Sequence, residues 1–128
     1  MALSDSRIDA IVAVSDIDKA KGFYEGKLGL SGGEDGGDGG TTYSLAEGTR
    51  LHIYPSPGNA GTSGATVAAF VVSDVEAQVD ELSGSGVSFE QYGDPLNTNE
   101  KGIASFDGEH IAWFKDPDGN ILAIGSQS

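Results

Sequence analysis

The side chains best suited to binding or catalysis alternate along one short segment, RLHIY. Arg50, His52 and Tyr54 lie two residues apart, and apolar Leu51 and Ile53 fall between them. This period of two predicts a strand with one polar and one apolar face. Polar groups of this kind can orient a small organic ligand, and a histidine can also serve as a general base. The alternative is that Arg50 and His52 only pair with nearby polar groups, since buried polar side chains need partners in any case.

Other catalytic chemistries are excluded by composition and context. The chain of 128 residues has no cysteine, which excludes disulfide bonds and thiolate catalysis. None of its serines lies in a nucleophile-elbow motif. The glycine-rich run SGGEDGGDGG, residues 31–40, follows a predicted helix and not a strand, so it does not fit a phosphate-binding loop. We expect this run to be a mobile acidic linker that buries nothing, with a lid over a pocket as the alternative.

The charge balance restricts the partners of the protein. Twenty acidic residues against seven basic ones give a formal net charge of −13, which disfavours nucleic acid and anionic membrane surfaces. The same charge would attract a cationic small molecule, but solubility is the favoured explanation, because net charge does not show where the charges lie. The N-terminal sequence MALSDSRIDAIVAV has no secretory signal pattern, and no run approaches the roughly 20 apolar residues of a membrane span. These features predict a cytoplasmic protein.

An internal repeat sets the expected architecture. The sequence VSDID at residues 14–18 recurs as VSDVE at residues 72–76, each time after a short apolar run. Each copy predicts a strand followed by a helix, over about 16–28 and 74–82. Apolar residues recur at helical spacing in both helices, which places these faces in the core: Ile17, Ala20, Phe23, Tyr24 and Leu28 in the first, and Val75, Val79 and Leu82 in the second. In each copy the serine, Ser15 or Ser73, can cap the helix, and Ser73 with Glu76 fits a capping box.

Strand patterns follow both helices. They cover residues 41–45 and 50–54 in the first half, and 87–92, 102–106, 109–115 and 120–124 in the second. The turn Asp116-Pro117-Asp118-Gly119 predicts a hairpin between the last two strands, because proline and glycine supply the required backbone angles. The sequence therefore predicts an α+β fold in which β-α-β-β-β occurs twice.

Two motifs within this pattern resemble a known family. The first helix ends in F-Y-x-x-x-L-G-L, from Phe23 to Leu30, and the final hairpin contains D-P-D-G-N, from Asp116 to Asn120. Together with the two modules, they resemble the glyoxalase/bleomycin-resistance group, or vicinal oxygen chelate superfamily. The resemblance implies one domain with modules at about 7–57 and 65–126. In each module a mixed sheet curls into a half-barrel, with helices outside and a concave pocket inside. It also implies a homodimer.

The resemblance also implies four positions that bind a divalent cation in the metal enzymes of the family. Counted from the motifs, these positions carry Asp9, His52, Ala68 and Ala123. Two of the four are methyl groups, which cannot bind a cation, and metal sites in enzymes normally offer at least three protein ligands. We therefore expect neither a metal nor another cofactor.

The inward-facing residues predict a pocket with a polar and an apolar side. Trp113 and Phe114 face opposite sides of their strand, and the pattern does not decide which of them faces the pocket. The predicted ligand-binding residues are Asp9, Ile11, Arg50, His52, Tyr54, Ala68, Phe70, Trp113 and Ala123.

Four functions fit these residues. The preferred one is a metal-independent binding protein that sequesters a small organic ligand, which can be cationic, as bleomycin-resistance members of the family do. The alternative is a metal-free lyase or isomerase in which His52 acts as general base and Asp9 orients it, a contact implied by the family geometry. A divalent-metal glyoxalase or dioxygenase is less favoured, and a regulatory protein stays open.

Overall fold

A computed structural model describes residues 2–126 as two four-stranded sheets with one main helix on each. The first module contains β1 (Ala10–Val14), α1 (Ile17–Lys21), β2 (Glu34–Asp35), β3 (Thr41–Ser44) and β4 (Arg50–Pro55). A π-helical segment, Gly22–Lys27, continues α1. The second module contains β5 (Thr66–Val71), α2 (Val75–Gly84), β6 (Ile103–Phe106), β7 (Glu109–Lys115) and β8 (Ile121–Gly125). The predicted α+β fold with two β-α-β-β-β modules is confirmed.

The two sheets have the same topology. Their strand orders are β1-β4-β3-β2 and β5-β8-β7-β6, so the first strand of each module pairs in parallel with its last strand. The other pairings are antiparallel. Both sheets are open rather than closed barrels, and their edge strands β1 and β5 lie next to each other. Within residues 2–126, no helix combines the length and apolar character that crossing a membrane requires.

The capping residue of each helix lies one position after the predicted serine. The carboxylate of Asp16 accepts hydrogen bonds from the amides of Asp18 and Lys19, at 3.0 and 3.2 Å. The carboxylate of Asp74 accepts one from the amide of Ala77, at 3.0 Å. The prediction of Ser15 and Ser73 as caps was therefore wrong, because an aspartate directly before the first helical residue satisfies the free amides instead.

One continuous core fills the helix side of both sheets. Phe23, near the start of the π-helical segment, contacts Phe114 of β7 with ring centroids 6.3 Å apart, so the first module packs directly on the second. Burial of such a side chain contributes about 1.5–3 kcal/mol. The other large members of this core are Val12, Val14, Tyr24, Tyr43, Leu51, Ile53, Val75, Val79, Leu82, Val87, Ile103, Leu122 and Ile124.

The predicted Asp-Pro-Asp-Gly hairpin also ties the modules together. The hydroxyl of Tyr24 donates to the buried carboxylate of Asp116 at 2.8 Å. The side-chain amide of Asn120 donates to the backbone carbonyl of Ala13, also at 2.8 Å. Ser15 in addition bonds to Asp118 through its hydroxyl. The turn therefore connects β7 and β8 and anchors them to the first module.

Two predicted segments differ from the structure. Residues 87–92 do not form a strand: they make a single isolated bridge, between Phe89 and Phe114. Residues 31–40 are not an unstructured linker. They contain β2, which pairs with β3, and Asp35 forms an ion pair with Lys21 at 3.0 Å. Composition alone missed these contacts, because the glycines allow the chain to fold back as a hairpin while the carboxylates find partners.

Candidate functional site

The polar face predicted for β4 is confirmed. Leu51 and Ile53 are buried against the helix, whereas Arg50, His52 and Tyr54 are only partly buried on the opposite face. We call the face of each sheet opposite its helix the helix-free face. The parallel register places Ile11 beside His52 and Ala13 beside Tyr54 on this face.

His52 is held on both sides of its ring. Its Nδ1 lies 2.7 Å from the hydroxyl oxygen of Thr42, which faces it from β3, and its Nε2 lies 2.7 Å from Oδ2 of Asp38. The rings of His52 and Tyr54 are nearly parallel, with centroids 6.3 Å apart. The hydrogen bond from His52, followed by one from the backbone of Gly40, holds the pKa of Asp38 below its usual value. Because the ionised Asp38 can only accept, Nε2 carries a proton, and in a neutral imidazole Nδ1 then accepts from Thr42.

Asp9 binds arginines and not His52. Its carboxylate lies 2.9 Å from Nε of Arg7 and 3.0 Å from Nη2 of Arg50. Hydrogen bonds from Arg7 and then Arg50 lower the pKa of Asp9. The predicted contact between Asp9 and His52 was wrong. Asp9 precedes the first residue of β1, and because Ala10 pairs with Leu51, Asp9 lies next to Arg50.

The register of the second sheet changes the predicted inward residues. Ala68 pairs with Leu122 and Phe70 with Ile124, and these partners are buried on the helix side. The prediction that Ala68 and Phe70 face the concave side was therefore wrong. A register irregularity between Thr66 and Ala68 shifts the alternation that was counted from the sequence.

Ala69 takes the place predicted for Ala68. It pairs with Ala123 on the helix-free face, and Ala123 pairs in turn with Trp113. The side chain of Ala123 is fully buried there. Of the two adjacent aromatic residues of β7, Trp113 and not Phe114 lies on the helix-free face. Phe114 is fully buried in the core, and Trp113 lies on the helix-free face, where Tyr92 packs edge-on against it at 5.4 Å.

A cleft of about 790 Å³ opens between the edge strands β1 and β5. Residues 8–11, 45–47, 49–51 and 67–72 line it. Three apolar side chains along it are unusually exposed: Ile8 by 87%, Ile11 by 62% and Val71 by 67%. Asp9 and Arg50 form a charged corner in the same cleft. Its volume and its mixture of apolar wall and few polar groups are those of a small-molecule site. A smaller apolar groove of about 170 Å³, which includes Leu28 and Leu82, lies on the helix side.

The side chains at the four family positions do not fit a divalent cation. The Asp9 carboxylate is bound by two guanidinium groups, and both ring nitrogens of His52 have hydrogen-bond partners. Ala69 and Ala123 offer only methyl groups. Across residues 2–126, no group of three His, Cys, Asp or Glu side chains is placed to hold a metal ion.

Sequence reasoning missed three polar partners of this site. Asp38 and Thr42 contact His52, and Arg7 contacts Asp9. Arg7 had a detectable signal, since residues two apart in an extended segment share a face. Thr42 could have been found from the hairpin that places β3 against β4. Asp38 had no such signal, because its position depends on how the glycine-rich segment folds.

Comparisons with known proteins agree with this geometry. The family model described as "Glyoxalase/Bleomycin resistance protein/Dioxygenase superfamily" matches residues 7–124. A glyoxalase/bleomycin resistance protein from Catenulispora acidiphila is 25% identical, with a TM-score of 0.69, and the match covers 95% of this chain and 98% of that one. An antibiotic-binding protein from Streptomyces sp. CB03234 is 25% identical, with a TM-score of 0.67 and 95% of each chain covered.

A more distant structure shares the fold. A glyoxalase-family protein from Bacillus anthracis is 17% identical, with a TM-score of 0.71, and 96% of this chain and 95% of that one are covered. No curated protein sequence matches the chain. The family model covers nearly all of the sequence, and the topology of both modules agrees with it. The chain therefore belongs to the Glyoxalase/Bleomycin resistance protein/Dioxygenase superfamily.

Proposed function

We propose that the protein binds a small organic molecule in the cleft between β1 and β5, without a metal ion. The observation that carries this proposal is the cleft itself: about 790 Å³, with exposed Ile8, Ile11 and Val71 along its wall and a charged corner at Asp9 and Arg50. Exposed apolar side chains grouped in a concavity are typical of binding sites. The similarity to a structure described as antibiotic-binding supports the same function.

The geometry favours binding over proton-transfer catalysis. A general base needs a free nitrogen within reach of the substrate, but both nitrogens of His52 are engaged, by Thr42 and Asp38. Asp9 does not orient the imidazole, because it binds Arg7 and Arg50. The alternative of a lyase or isomerase that uses these two residues as a dyad therefore has no support in the arrangement of the site.

We also propose that two copies of the chain form a homodimer that encloses the ligand. The cleft is open on one side, and its exposed isoleucines and valine leave apolar surface in contact with water. A second copy that packs over this surface would bury it. Family members commonly build each pocket from two chains, which agrees with this arrangement.

A fluorescence titration tests the binding proposal. N-phenyl-1-naphthylamine, an apolar probe that becomes fluorescent away from water, is added to protein treated with EDTA. We expect saturable binding, because the apolar wall needs no metal. Ala69→Trp fills the cleft from β5 and should weaken binding at least about tenfold, which corresponds to 1.4 kcal/mol. Ala77→Trp makes the same change on the exposed surface of α2 and should leave binding unchanged.

Two outcomes would contradict the proposal. One is binding that Ala69→Trp and Ala77→Trp affect equally, which would place the probe elsewhere. The other is binding that disappears with EDTA and returns only when a divalent cation is added, which would make the site metal-dependent.

A further inference from the structure

Both arginines of the chain converge on one carboxylate at the cleft. Arg7 and Arg50 are the only arginines among the 128 residues. Arg7 donates to Oδ1 of Asp9, and Arg50 donates to Oδ2 of the same carboxylate. Arginine differs from lysine in presenting a rigid planar set of donors that matches a trigonal oxyanion. We call these three residues the Arg7–Asp9–Arg50 cluster.

The cluster carries a net positive charge in an otherwise acidic protein. Two guanidinium groups share one carboxylate, and the hydrogen bonds that lower the pKa of Asp9 keep that carboxylate ionised at neutral pH. In the other ion pairs of residues 2–126, carboxylates equal or outnumber the cations. Lys101 lies within 4 Å of both Asp80 and Glu76. The ion pairs of Lys21 and of Lys115 each involve a single carboxylate.

The cluster also has guanidinium N–H groups that donate to no acceptor in the described part of the chain. Arg7 uses only its Nε–H on Asp9, so its two terminal nitrogens have no protein acceptor within residues 2–126. Arg50 uses Nε and Nη2, which leaves Nη1. Their side chains are 51% and 38% exposed. Two adjacent guanidinium groups with unused, accessible donors can hold a carboxylate or sulfonate through charge-assisted hydrogen bonds.

The other charged groups near the cleft do not cancel this effect. Glu47 borders the cleft on the turn Ala46–Gly48, but it is exposed and forms no hydrogen bond or ion pair within the described part of the chain. His52 is matched by Asp38. The net charge of −13 acts over long range, where salt screens it beyond about 8 Å at physiological ionic strength. The charge at contact distance therefore decides the preference.

We propose that the ligand of the cleft is an amphiphile with an anionic head, in which a carboxylate or sulfonate lies on Arg7 and Arg50 and an apolar body lies along Ile8, Ile11 and Val71. This inference rests on the proposed function, because it names the class of molecule that the same cleft binds. It reverses the preference for a cation that the net charge alone suggests.

Two probes with the same apolar body test the head group. 8-Anilino-1-naphthalenesulfonate is N-phenyl-1-naphthylamine with one added sulfonate. We expect the sulfonate to bind more tightly to the wild-type protein than the neutral probe does. Arg50→Met and Arg7→Met should each weaken binding of the sulfonate by roughly tenfold, the size expected for a lost hydrogen bond to a charged group. The same substitutions should change the affinity for the neutral probe by no more than about twofold, because only packing is lost.

A variant that should strengthen binding of the sulfonate distinguishes a lost head-group contact from damage to the fold. Asp9→Asn removes the competing carboxylate, so it should strengthen binding of the sulfonate and leave the neutral probe unchanged. Lys101→Met changes the net charge as much as Arg50→Met does, but far from the cleft, and should alter neither affinity.

The outcomes separate this inference from the proposed function. One result would overturn the anionic preference and leave the binding function standing. In that result Ala69→Trp blocks binding of the neutral probe, but the sulfonate binds no more tightly than the neutral probe or is unaffected by the arginine substitutions. Failure of both probes to bind, or binding of both that ignores Ala69→Trp, would overturn the proposed function.

Discussion

At the scale of single residues, the contact between Tyr24 and Asp116 is the clearest buried polar interaction between the modules. Both side chains are almost fully buried, and the hydroxyl of Tyr24 lies 2.8 Å from Oδ2 of Asp116. Burial, followed by the charge of Asp116, raises the pKa of Tyr24, so the phenol remains a protonated donor. Without this donor, a buried carboxylate would lose one of its few partners.

Tyr24→Phe should therefore lower the free energy of unfolding by about 1.5–3 kcal/mol, the range for a hydrogen bond to a charged group. The matched control is Tyr43→Phe. Tyr43 is equally buried, but its hydroxyl bonds to Glu25, which is exposed and can be solvated when that bond is lost. Urea denaturation of the three proteins measures the difference. Equal losses from both substitutions would contradict a special role for the Tyr24 contact.

The sequence predicted the burial of Tyr24 but not its partner. The helical spacing of apolar residues placed Tyr24 in the core, as the structure confirms. Asp116 lies 92 positions later, and nothing in a local pattern connects two residues so far apart. The same limit explains the error at Asp9 and His52. The register of β1 on β4 places Asp9 beside Arg50, and the fold of residues 31–40 brings Asp38 to His52.

At the scale of elements, the closing turn depends on a glycine in the segment between the modules. Gly61 has a positive φ of 68°, and its amide donates to the side chain of Asn120 at 3.0 Å. A Cβ at this position would overlap the backbone carbonyl of Asp118. The turn can therefore pack against residue 61 only when that residue is glycine.

Gly61→Ala should destabilise the protein by at least about 1 kcal/mol, from left-handed backbone strain plus displacement of the turn. Gly64→Ala is the matched control, because its added methyl meets nothing within 4 Å. It should be neutral or slightly stabilising, since alanine restricts the unfolded chain. Thermal unfolding by circular dichroism compares the two variants. A Gly61→Ala protein as stable as the wild type would show that the turn does not dock as described.

Among the elements, those with strong periodicity were predictable and the irregular ones were not. The spacing of Val75, Val79 and Leu82 predicted α2, and alternation around His52 predicted β4. Residues 87–92 carry a β-prone composition, but Phe89 turns to pack on Phe114 with ring centroids 5.6 Å apart, and only one bridge forms. Packing of that single side chain outweighs the local preference for a strand.

At the scale of the whole molecule, the repeat at residues 14–18 and 72–76 predicted the architecture most completely. Each copy marks the junction of a first strand and its helix, and both sheets have the same strand order. The repeat could not predict the cleft, since that space arises where the two modules meet at β1 and β5. It also could not predict the irregularity near Thr66 that places Ala69, and not Ala68, beside Ala123.

The proposed dimer is tested by light scattering coupled to gel filtration. One chain has a mass of 13.1 kDa, so we expect twice that mass for the wild-type protein. Ile11→Glu places a charge in the apolar surface at the cleft and should shift the mass toward that of one chain. Phe106→Glu changes an exposed apolar residue at the end of β6 and serves as the control. A wild-type mass of one chain would contradict the proposed dimer.

Mapping of amide chemical shifts by NMR is the strictest test of metal-independent binding in the cleft between β1 and β5. The EDTA-treated protein is titrated with N-phenyl-1-naphthylamine, and the amides that move report where the probe binds. We expect the largest changes in residues 8–11 and 67–72, the two edges of the cleft. Changes confined to the helix-side groove around Leu28 and Leu82, or changes that require an added divalent cation, would contradict it.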